Sequence, residues 1–220
     1  MDAPPSYEDQ REDMVSRQIE ARGILDQRVL QAMRQVPRHL FVPAEYRQDA
    51  YRDHPVSIGF GQTISQPYIV ALMTQLLHLT GAETVLEIGT GSGYQAAILA
   101  HLARQVHTVE FIPDLANRAR QVLAASGVDN VTVHTGDGTA GLSQFAPYQG
   151  IIVTAAAPQV PAPLLGQLAD NGRLVAPTGG RFYQSLNVWW PSDKGFDHEV
   201  ITSVSFVPLR GSWGWQEDQL

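Results

Sequence analysis

Residues 89–93 form a glycine-rich segment with the sequence GTGSG. It follows an apolar run typical of a buried strand and precedes residues with the apolar spacing of a helix. Glycines at such a turn let the backbone approach a ligand where any Cβ atom would collide with it. A dinucleotide-binding fingerprint has glycine at its first, third and sixth positions, whereas here the sixth position is Tyr94. The segment therefore predicts a ligand-binding loop, and its spacing disfavours NAD.

Two further motifs follow the next two predicted strands. Glu110 lies 21 residues after Gly89, at a strand end where a carboxylate can accept both hydrogen bonds of a ribose diol. Asp137, in the sequence GDG, can accept from an adenine amino group, although Asp-Gly is also a common plain turn. Together with the acidic Glu87 before the glycine loop, these strand-end motifs form the ordered pattern of class I S-adenosylmethionine-dependent methyltransferases. They predict S-adenosyl-L-methionine as cofactor and S-adenosyl-L-homocysteine as product.

These motifs need a scaffold that brings strand ends together. Beyond residue 83, apolar strands and helices alternate, which predicts a parallel sheet covered by helices, and the last two β-rich stretches indicate an antiparallel edge. We therefore expect an α/β fold, a Rossmann-like, doubly wound and mostly parallel sheet with an antiparallel edge and a helical N-terminal extension. The predicted strands are residues 84–88, 106–109, 131–134, 151–153, 173–176, 185–190 and 199–207, and the predicted helices are residues 94–103, 115–125 and 163–168.

The N-terminal part has a different pattern. Residues 8–36 carry apolar positions at helical spacing on either side of Gly23, which predicts two helices with a stop between them. Residues 41–66 lack such a pattern, and a helix is predicted to begin at Pro67. The expected division is a flexible tail at 1–13, a single methyltransferase domain at 14–210 (helices and substrate loop at 14–82, cofactor-binding α/β core at 83–210) and a C-terminal tail at 211–220.

Composition and charge narrow the class of protein. A chain of 220 residues with 44% apolar residues suffices for one sizeable core. Its formal charge of −7 has the wrong sign for gathering nucleic acid, and the absence of cysteine excludes disulfides and a Cys nucleophile. No apolar run approaches the roughly 20 residues that cross a bilayer, and the acidic N-terminal segment does not resemble a secretory signal. We expect a cytoplasmic monomer that binds neither nucleic acid nor membranes. The arginines expected on solvated helix faces are Arg17, Arg22, Arg28, Arg34 and Arg38.

Five segments carry a more specific likeness. They are IGFGQTISQP at 58–67, VLEIGTGSGYQAA at 85–97, GDG at 136–138, TAAAP at 154–158 and FVPL at 206–209. In these the chain resembles the protein-L-isoaspartate O-methyltransferases over about residues 14–210. The resemblance implies methylation of the free carboxyl of L-isoaspartyl residues in damaged proteins and peptides, with repair through a succinimide. It also implies a terminal strand order that departs from other methyltransferases.

The same resemblance implies which residues form the site. Ser65 corresponds to the family's active-site serine. The implied cofactor contacts are Glu87, Gly89, Thr90, Gly91, Ser92, Gly93, Glu110, Asp137, Gly138 and Thr154. The implied substrate contacts are Thr63, Ile64, Ser65, Ala155, Ala156 and Ala157. No metal is implied.

The chemistry of the residues agrees with this assignment. A free isoaspartyl carboxyl has an unperturbed pKa of about 3.5, so at neutral pH it is already the anionic nucleophile and needs no general base. What the reaction needs is a carboxylate oxygen held in line with the methyl–sulfonium bond. Ser65, beside the helix beginning at Pro67, can hold such an anion, although serine at this position is more often a helix cap. The histidines are scattered and are expected to be structural: His39, His54, His78, His101, His107, His134 and His198.

Two features depart from the family pattern. Gln149 stands where the family often has Asp, which puts entry into the fourth core strand in doubt. Trp213 and Trp215 lie in a polar tail and either cover the site or pack on the surface, and surface packing is preferred. Two alternatives stay open: a small-molecule carboxyl methyltransferase, and a non-catalytic module that binds cofactor and damaged peptide. Nucleic-acid base methylation is disfavoured, because the chain lacks cysteine and has TAAAP where amino-methylating enzymes carry an Asp/Asn-Pro-Pro-aromatic box.

Overall fold

The computed structural model describes residues 5–216. A helical layer comes first and is interrupted at Gly23, whose φ of 92° is a left-handed conformation that suits glycine at a helix end. Helix α2 begins after Asp26, whose carboxylate accepts hydrogen bonds from the first backbone N–H groups. The layer consists of helix α1 (Tyr7–Asp13), a π-helical turn (Met14–Ile19), a 3₁₀ turn (Glu20–Arg22) and helix α2 (Gln27–Gln35).

Helix α1 corrects the expectation of a flexible tail at residues 1–13. Ser6 and Asp9 form a capping box, in which the side chain of each accepts a hydrogen bond from the backbone N–H of the other, at 3.1 and 3.0 Å. Tyr7 stacks on His39, with ring centroids 4.0 Å apart. The cap and the ring contact hold α1 against the domain, and the first four residues lie outside the described part of the chain.

The segment at residues 41–66, expected to be irregular, contains a short hairpin. Strand β1 (Val56–Gly59) pairs antiparallel with strand β2 (Gln62–Ile64). Between them, Phe60 and Gly61 have φ values of 56° and 70°, the left-handed conformations that a two-residue hairpin turn requires. Strands this short leave too little alternation in the sequence to be detected. Two 3₁₀ turns precede the hairpin, at Arg38–Phe41 and Ala44–Asp49.

A seven-stranded sheet forms the centre of the domain, in the order β5-β4-β3-β6-β7-β8-β9. Strands β3 to β7 are parallel, and β8 and β9 continue in chain order as an antiparallel edge. This arrangement confirms the predicted fold. The strands are β3 (Thr84–Ile88), β4 (Gln105–Glu110), β5 (Val131–Thr135), β6 (Tyr148–Val153), β7 (Leu168–Gly179), β8 (Gln184–Ser192) and β9 (Gly195–Val204). The helices are α3 (Pro67–Leu76), α4 (Tyr94–Ala100), α5 (Pro113–Ala125) and α6 (Ala162–Leu165).

The sheet separates two apolar layers. On β3, Val85 packs in the cluster that contains α2, α3 and α4, whereas Leu86 and Ile88 pack in the cluster on the side of α6. Successive side chains of a strand point to opposite faces, so β3 is buried on both sides, as a parallel strand should be. The central strands thus present only their ends to solvent, and the site must lie there.

Two details of the core differ from or refine the sequence expectations. Helix α6 is shorter than the predicted 163–168, because Gly166 ends it and Leu168 already begins β7. Gln149 lies inside β6, and its side-chain oxygen accepts a 2.9 Å hydrogen bond from the backbone N–H of Thr84, so it joins β6 to the start of β3.

Across residues 5–216, no helix is both long enough and apolar enough to cross a membrane.

Candidate active site

A cleft of about 900 Å³ lies at the carboxyl ends of β3, β4 and β6. Strand β3 has β4 on one side and β6 on the other, so the chain reverses its direction of travel across the sheet at this point. Open α/β sheets bind their ligands at such a switch point. The walls are formed by residues 62–65, 88–92, 109–112 and 207–210, together with Gly138 and Thr154.

The glycine loop forms one wall of the cleft. Gly89 has a φ of 95°, and a Cβ atom there would overlap the hydroxyl of Thr154, which donates a 2.6 Å hydrogen bond to the Gly89 carbonyl. The loop and the end of β6 are therefore packed directly together. Gly93, predicted as a cofactor contact, is instead the N-cap of α4 and faces side chains of α5. The part of the loop that reaches the cleft is Gly89, Thr90, Gly91 and Ser92.

Glu110 lies at the end of β4, is buried and lines the cleft. Its carboxylate accepts hydrogen bonds from the backbone N–H of Gly91 at 2.7 Å and from that of Ile112 at 3.0 Å. Each oxygen keeps a lone pair for a further donor. The side chain is thus fixed in place with spare accepting capacity at the position predicted for the ribose.

Asp137 and Gly138 are both predicted cofactor contacts, but their surroundings in the structure differ. One carboxylate oxygen accepts from the backbone and hydroxyl of Thr139, at 2.9 and 2.6 Å, and the other accepts from the backbone N–H of Ser212 at 2.7 Å. Partial burial raises the pKa of Asp137, but the hydrogen bonds from Ser212 and Thr139 outweigh it and leave the pKa below its usual value. Gly138 lines the cleft, where a Cβ atom would collide with Ile88. The structure therefore gives Asp137 an anchoring role and gives the cleft surface to Gly138.

Glu87, predicted as a cofactor contact, does not line the cleft in the structure, and a contact with the cofactor stays a prediction. It is fully buried on β3, and neither carboxylate oxygen has a hydrogen-bond partner among residues 5–216. Burial raises the pKa of Glu87 to about 8, and the charge of Glu110 acts in the same direction. The side chain is consequently protonated at neutral pH.

Ser65 lies where the cleft meets a second groove of about 940 Å³. Thr63, Thr154 and Val207 also line both cavities, whereas residues 203–206 line only the groove. Ile64, between the two hydroxyl residues, is buried but still reaches the cleft wall. The structure therefore brings the predicted acceptor residues to the opening between the two cavities.

The helix-cap alternative for Ser65 does not agree with the geometry. The N-cap of α3 is Gln66, without a side-chain cap hydrogen bond, and Pro67 takes the first helical position. Across the described part of the chain, no hydrogen bond engages the Ser65 hydroxyl, whereas its backbone carbonyl accepts one from Arg38. The hydroxyl is thus available at the cleft surface.

The three alanines after Thr154 have different positions. Ala155 lines the cleft but not the adjoining groove, and its predicted contact with the substrate stays a prediction. Ala156 is buried, its N–H donates to Val207 O, and its carbonyl accepts from the backbone of Leu209 and the indole of Trp215. Ala157 is buried as well and exchanges hydrogen bonds with β7. Neither Ala156 nor Ala157 lines the cleft: the backbone of Ala156 is hydrogen-bonded to residues 207 and 209, and that of Ala157 to residues 177 and 179 of β7. Their substrate contacts stay a prediction.

Sequence reasoning missed the packing of two segments beside the cleft. Arg38, expected on a solvated helix face, is fully buried behind Ser65. The tail at 211–220 folds back as far as residue 216, with the Trp215 indole on the Ala156 carbonyl, and residues 217–220 lie outside the described part. Nothing in the sequence near these positions, one arginine among several and one polar tail, distinguishes them from surface residues.

Comparison with known proteins identifies the family. The model of the family "Protein-L-isoaspartate(D-aspartate) O-methyltransferase" matches residues 9–213. A protein-L-isoaspartate O-methyltransferase of Methanoregula boonei is 56% identical over 216 residues, which are 98% of this chain and 100% of the relative. A solved protein-L-isoaspartate O-methyltransferase matches with a TM-score of 0.83 and 28% identity, over 93% of this chain and 67% of that one. A Plasmodium falciparum structure described as such an enzyme, in complex with S-adenosyl-L-homocysteine, has the same fold (TM-score 0.80, 24% identity, 91% and 98% coverage).

The fold, with a glycine loop at the switch point of the sheet, defines a class I S-adenosylmethionine-dependent methyltransferase. The match to the family model and the 56% identity then decide the family: this chain belongs to the protein-L-isoaspartate(D-aspartate) O-methyltransferases. It is accordingly an S-adenosylmethionine-dependent protein carboxyl methyltransferase.

Proposed function

We propose that this enzyme positions an L-isoaspartyl carboxylate at Ser65, methylates it, and so begins repair of the damaged peptide. The observation that carries the proposal is the place of Ser65, on the wall shared by the cleft and the adjoining groove. An extended peptide in the groove can present one side group at this opening, next to a cofactor in the cleft. A site built only for small molecules would not need the second groove.

The cleft fits S-adenosylmethionine by its chemistry. Gly89 and Gly91 have positive φ and leave the loop backbone bare, and Glu110 keeps acceptor lone pairs for the ribose hydroxyls. Gly138 gives a flat surface over Ile88 for the adenine ring. When bound, S-adenosylmethionine supplies an electrophilic methyl group on its sulfonium sulfur.

Ser65 orients the acceptor. Its hydroxyl donates a hydrogen bond to one carboxylate oxygen, and the N-terminal end of α3, two residues further on, adds a favourable field for the anion. The other oxygen is then free to accept the methyl group. No histidine is among the residues 5–216 that line the cleft, and the acceptor is already ionised at neutral pH, so no proton has to be removed.

The product ester leads to repair without further catalysis. The backbone nitrogen of the following residue attacks the ester carbonyl, methanol leaves, and a succinimide ring forms. Hydrolysis of the ring gives a mixture of aspartyl and isoaspartyl peptides, and the isoaspartyl fraction can be methylated again. Repeated cycles therefore deplete the damaged isomer.

The test is methyl incorporation from labelled S-adenosylmethionine into a synthetic isoaspartyl peptide, with its aspartyl twin as the matched control. We expect about one base-labile methyl group per isoaspartyl peptide in the initial phase and far less on the twin. Equal labelling of both peptides would remove the isoaspartyl specificity. The proposal includes action as a monomer, and gel filtration of the active enzyme tests it.

A further inference from the structure

Arg38 is a fully buried guanidinium at the back of the active site. Its Nε atom donates to the carbonyl of Ala50 at 2.6 Å, and one terminal nitrogen donates to the carbonyl of Ser65 at 2.8 Å. The guanidinium carbon lies 4.9 Å from the centre of the Tyr94 ring. The other terminal nitrogen, Nη1, has no hydrogen-bond partner among the described residues.

The charge of Arg38 is not compensated by a carboxylate. None of the ion pairs among residues 5–216 includes it. Burial lowers the pKa of Arg38 to about 10, with the neighbouring Tyr94 and Tyr51 opposing the shift, so the side chain remains a cation at neutral pH. Burying an unpaired cation is costly, and neutral carbonyls with one aromatic face offset only part of that cost.

A comparison within the chain shows that carbonyl bridging does not require such burial. Arg28 also donates to two backbone carbonyls, those of Leu79 and Leu102, and it does so from an exposed position away from the cleft. Arg38 differs in where its charge lies. Two of its contacts, Ser65 and Tyr94, line the cleft, so the cation lies directly behind the wall that faces the acceptor.

We propose that Arg38 is a positioning residue whose buried charge draws the acceptor into the site as the carboxylate anion and whose hydrogen bond fixes the backbone of Ser65. This inference rests on the proposed function. In a low-dielectric interior a charge acts beyond its direct contacts, and an anion at Ser65 supplies the counter-charge that the described residues do not. The cation does not touch the reacting atoms. It favours the ionised acceptor over a neutral group of the same shape.

The experiment compares two peptides with two variants. Binding of the isoaspartyl peptide and of its neutral isoasparaginyl twin is measured in the presence of S-adenosyl-L-homocysteine for the wild type, Arg38→Met and Arg38→Lys. Arg28→Met is the matched control. We expect Arg38→Met to weaken binding of the isoaspartyl peptide about 10-fold or more, a typical effect for one charge interaction. Binding of the isoasparaginyl twin should weaken less than about 3-fold. Arg38→Lys should recover part of the preference, and Arg28→Met should leave it unchanged.

An equal loss for both peptides in Arg38→Met would show a purely structural role and overturn the inference. A second measurement needs no variant: a ¹³C-labelled isoaspartyl carboxyl, titrated by NMR in its complex with wild-type enzyme, should have a lower pKa than in the free peptide. An unchanged or raised pKa would contradict the inference even if Arg38→Met fails to fold. Failure of the proposed function is distinguishable, because the wild type would then not methylate the isoaspartyl peptide at all.

Discussion

The carboxylate of Glu110 accepts a 2.7 Å hydrogen bond from the backbone N–H of Gly91, which joins the end of β4 to the glycine loop. If the remaining lone pairs bind the ribose, Glu110→Ala should weaken S-adenosyl-L-homocysteine binding by about 1.5 to 3 kcal/mol, or roughly 10- to 150-fold. Calorimetry measures this directly. Asp114→Ala is the control, because Asp114 lies four residues further along the chain and does not line the cleft. This variant should bind S-adenosyl-L-homocysteine with unchanged affinity. Unaltered affinity of the Glu110 variant would show that another group binds the ribose.

Asp137 should act mainly on stability. Because its carboxylate anchors Thr139 and Ser212, Asp137→Ala should lower the free energy of unfolding by about 1 to 2 kcal/mol and affect cofactor affinity less than Glu110→Ala does. Its lowered pKa means that this stabilisation is present above about pH 4 and is lost as the pH falls through the folded value. Denaturant unfolding checks the change, with the exposed Asp129→Ala as control. A variant with full stability but much weaker cofactor binding would restore the adenine role.

The raised pKa of Glu87 predicts that the free energy of unfolding falls as the pH rises. Its pKa is about 8 in the folded protein against about 4.3 in an unfolded chain, so between those values the folded state holds the extra proton. Ionisation of the buried Glu87 carboxyl destabilises the folded state. This destabilisation is absent below about pH 4, grows between about pH 4 and 8 and is complete above about pH 8, where it amounts to several kcal/mol at most. Glu87→Gln should flatten this decline in unfolding experiments between about pH 5 and 8.

Glu83 provides the matched control for Glu87. Burial raises the pKa of Glu83, but hydrogen bonds from Thr80 and Gly81 outweigh it and lower the net pKa, so its contribution changes only at acidic pH. Glu83→Gln should therefore leave the slope between about pH 5 and 8 as in the wild type. If Glu87→Gln declines with pH as steeply as the wild type, the buried carboxyl is not protonated at neutral pH.

The sheet could be predicted because its sequence signals are local. Residues 84–88 are mostly apolar and are followed by glycine, a combination typical of a buried parallel strand before a tight turn. The hairpin at residues 56–64 could not, since strands of four and three residues give no readable period. Strand β7 extends beyond the predicted residues 173–176 because Leu168 pairs with β6 and residues 174–179 pair with β8, long-range contacts that composition does not record.

Two acidic residues show how far the sequence alone indicates which side chains reach the cleft. Glu110 lies at a strand end, so its position in the chain places its side chain in the cleft. Glu87 is also a glutamate, but it lies inside β3, one position before Ile88. The alternation of side chains along the strand buries it. Ala156 is buried, with its backbone hydrogen-bonded to residues 207 and 209. The proposed role of Arg38 depends on its contact with Ser65, which lies 27 positions further along the chain, so the local sequence does not indicate it.

The proposed mechanism requires the Ser65 hydroxyl to hold the acceptor carboxylate independently of the cofactor. The most direct measurement is kcat/KM for an isoaspartyl peptide with Ser65→Ala, beside the affinity for S-adenosyl-L-homocysteine, using Ser57→Ala on the same hairpin as control. We predict a loss of about 1.5 to 3 kcal/mol, roughly 10- to 150-fold, in kcat/KM, with cofactor affinity nearly unchanged and a wild-type rate nearly flat between about pH 6 and 8. Full activity of Ser65→Ala, or a joint loss of activity, cofactor affinity and stability, would contradict the account, as would a wild-type rate that rises steeply with an apparent pKa of about 6.5.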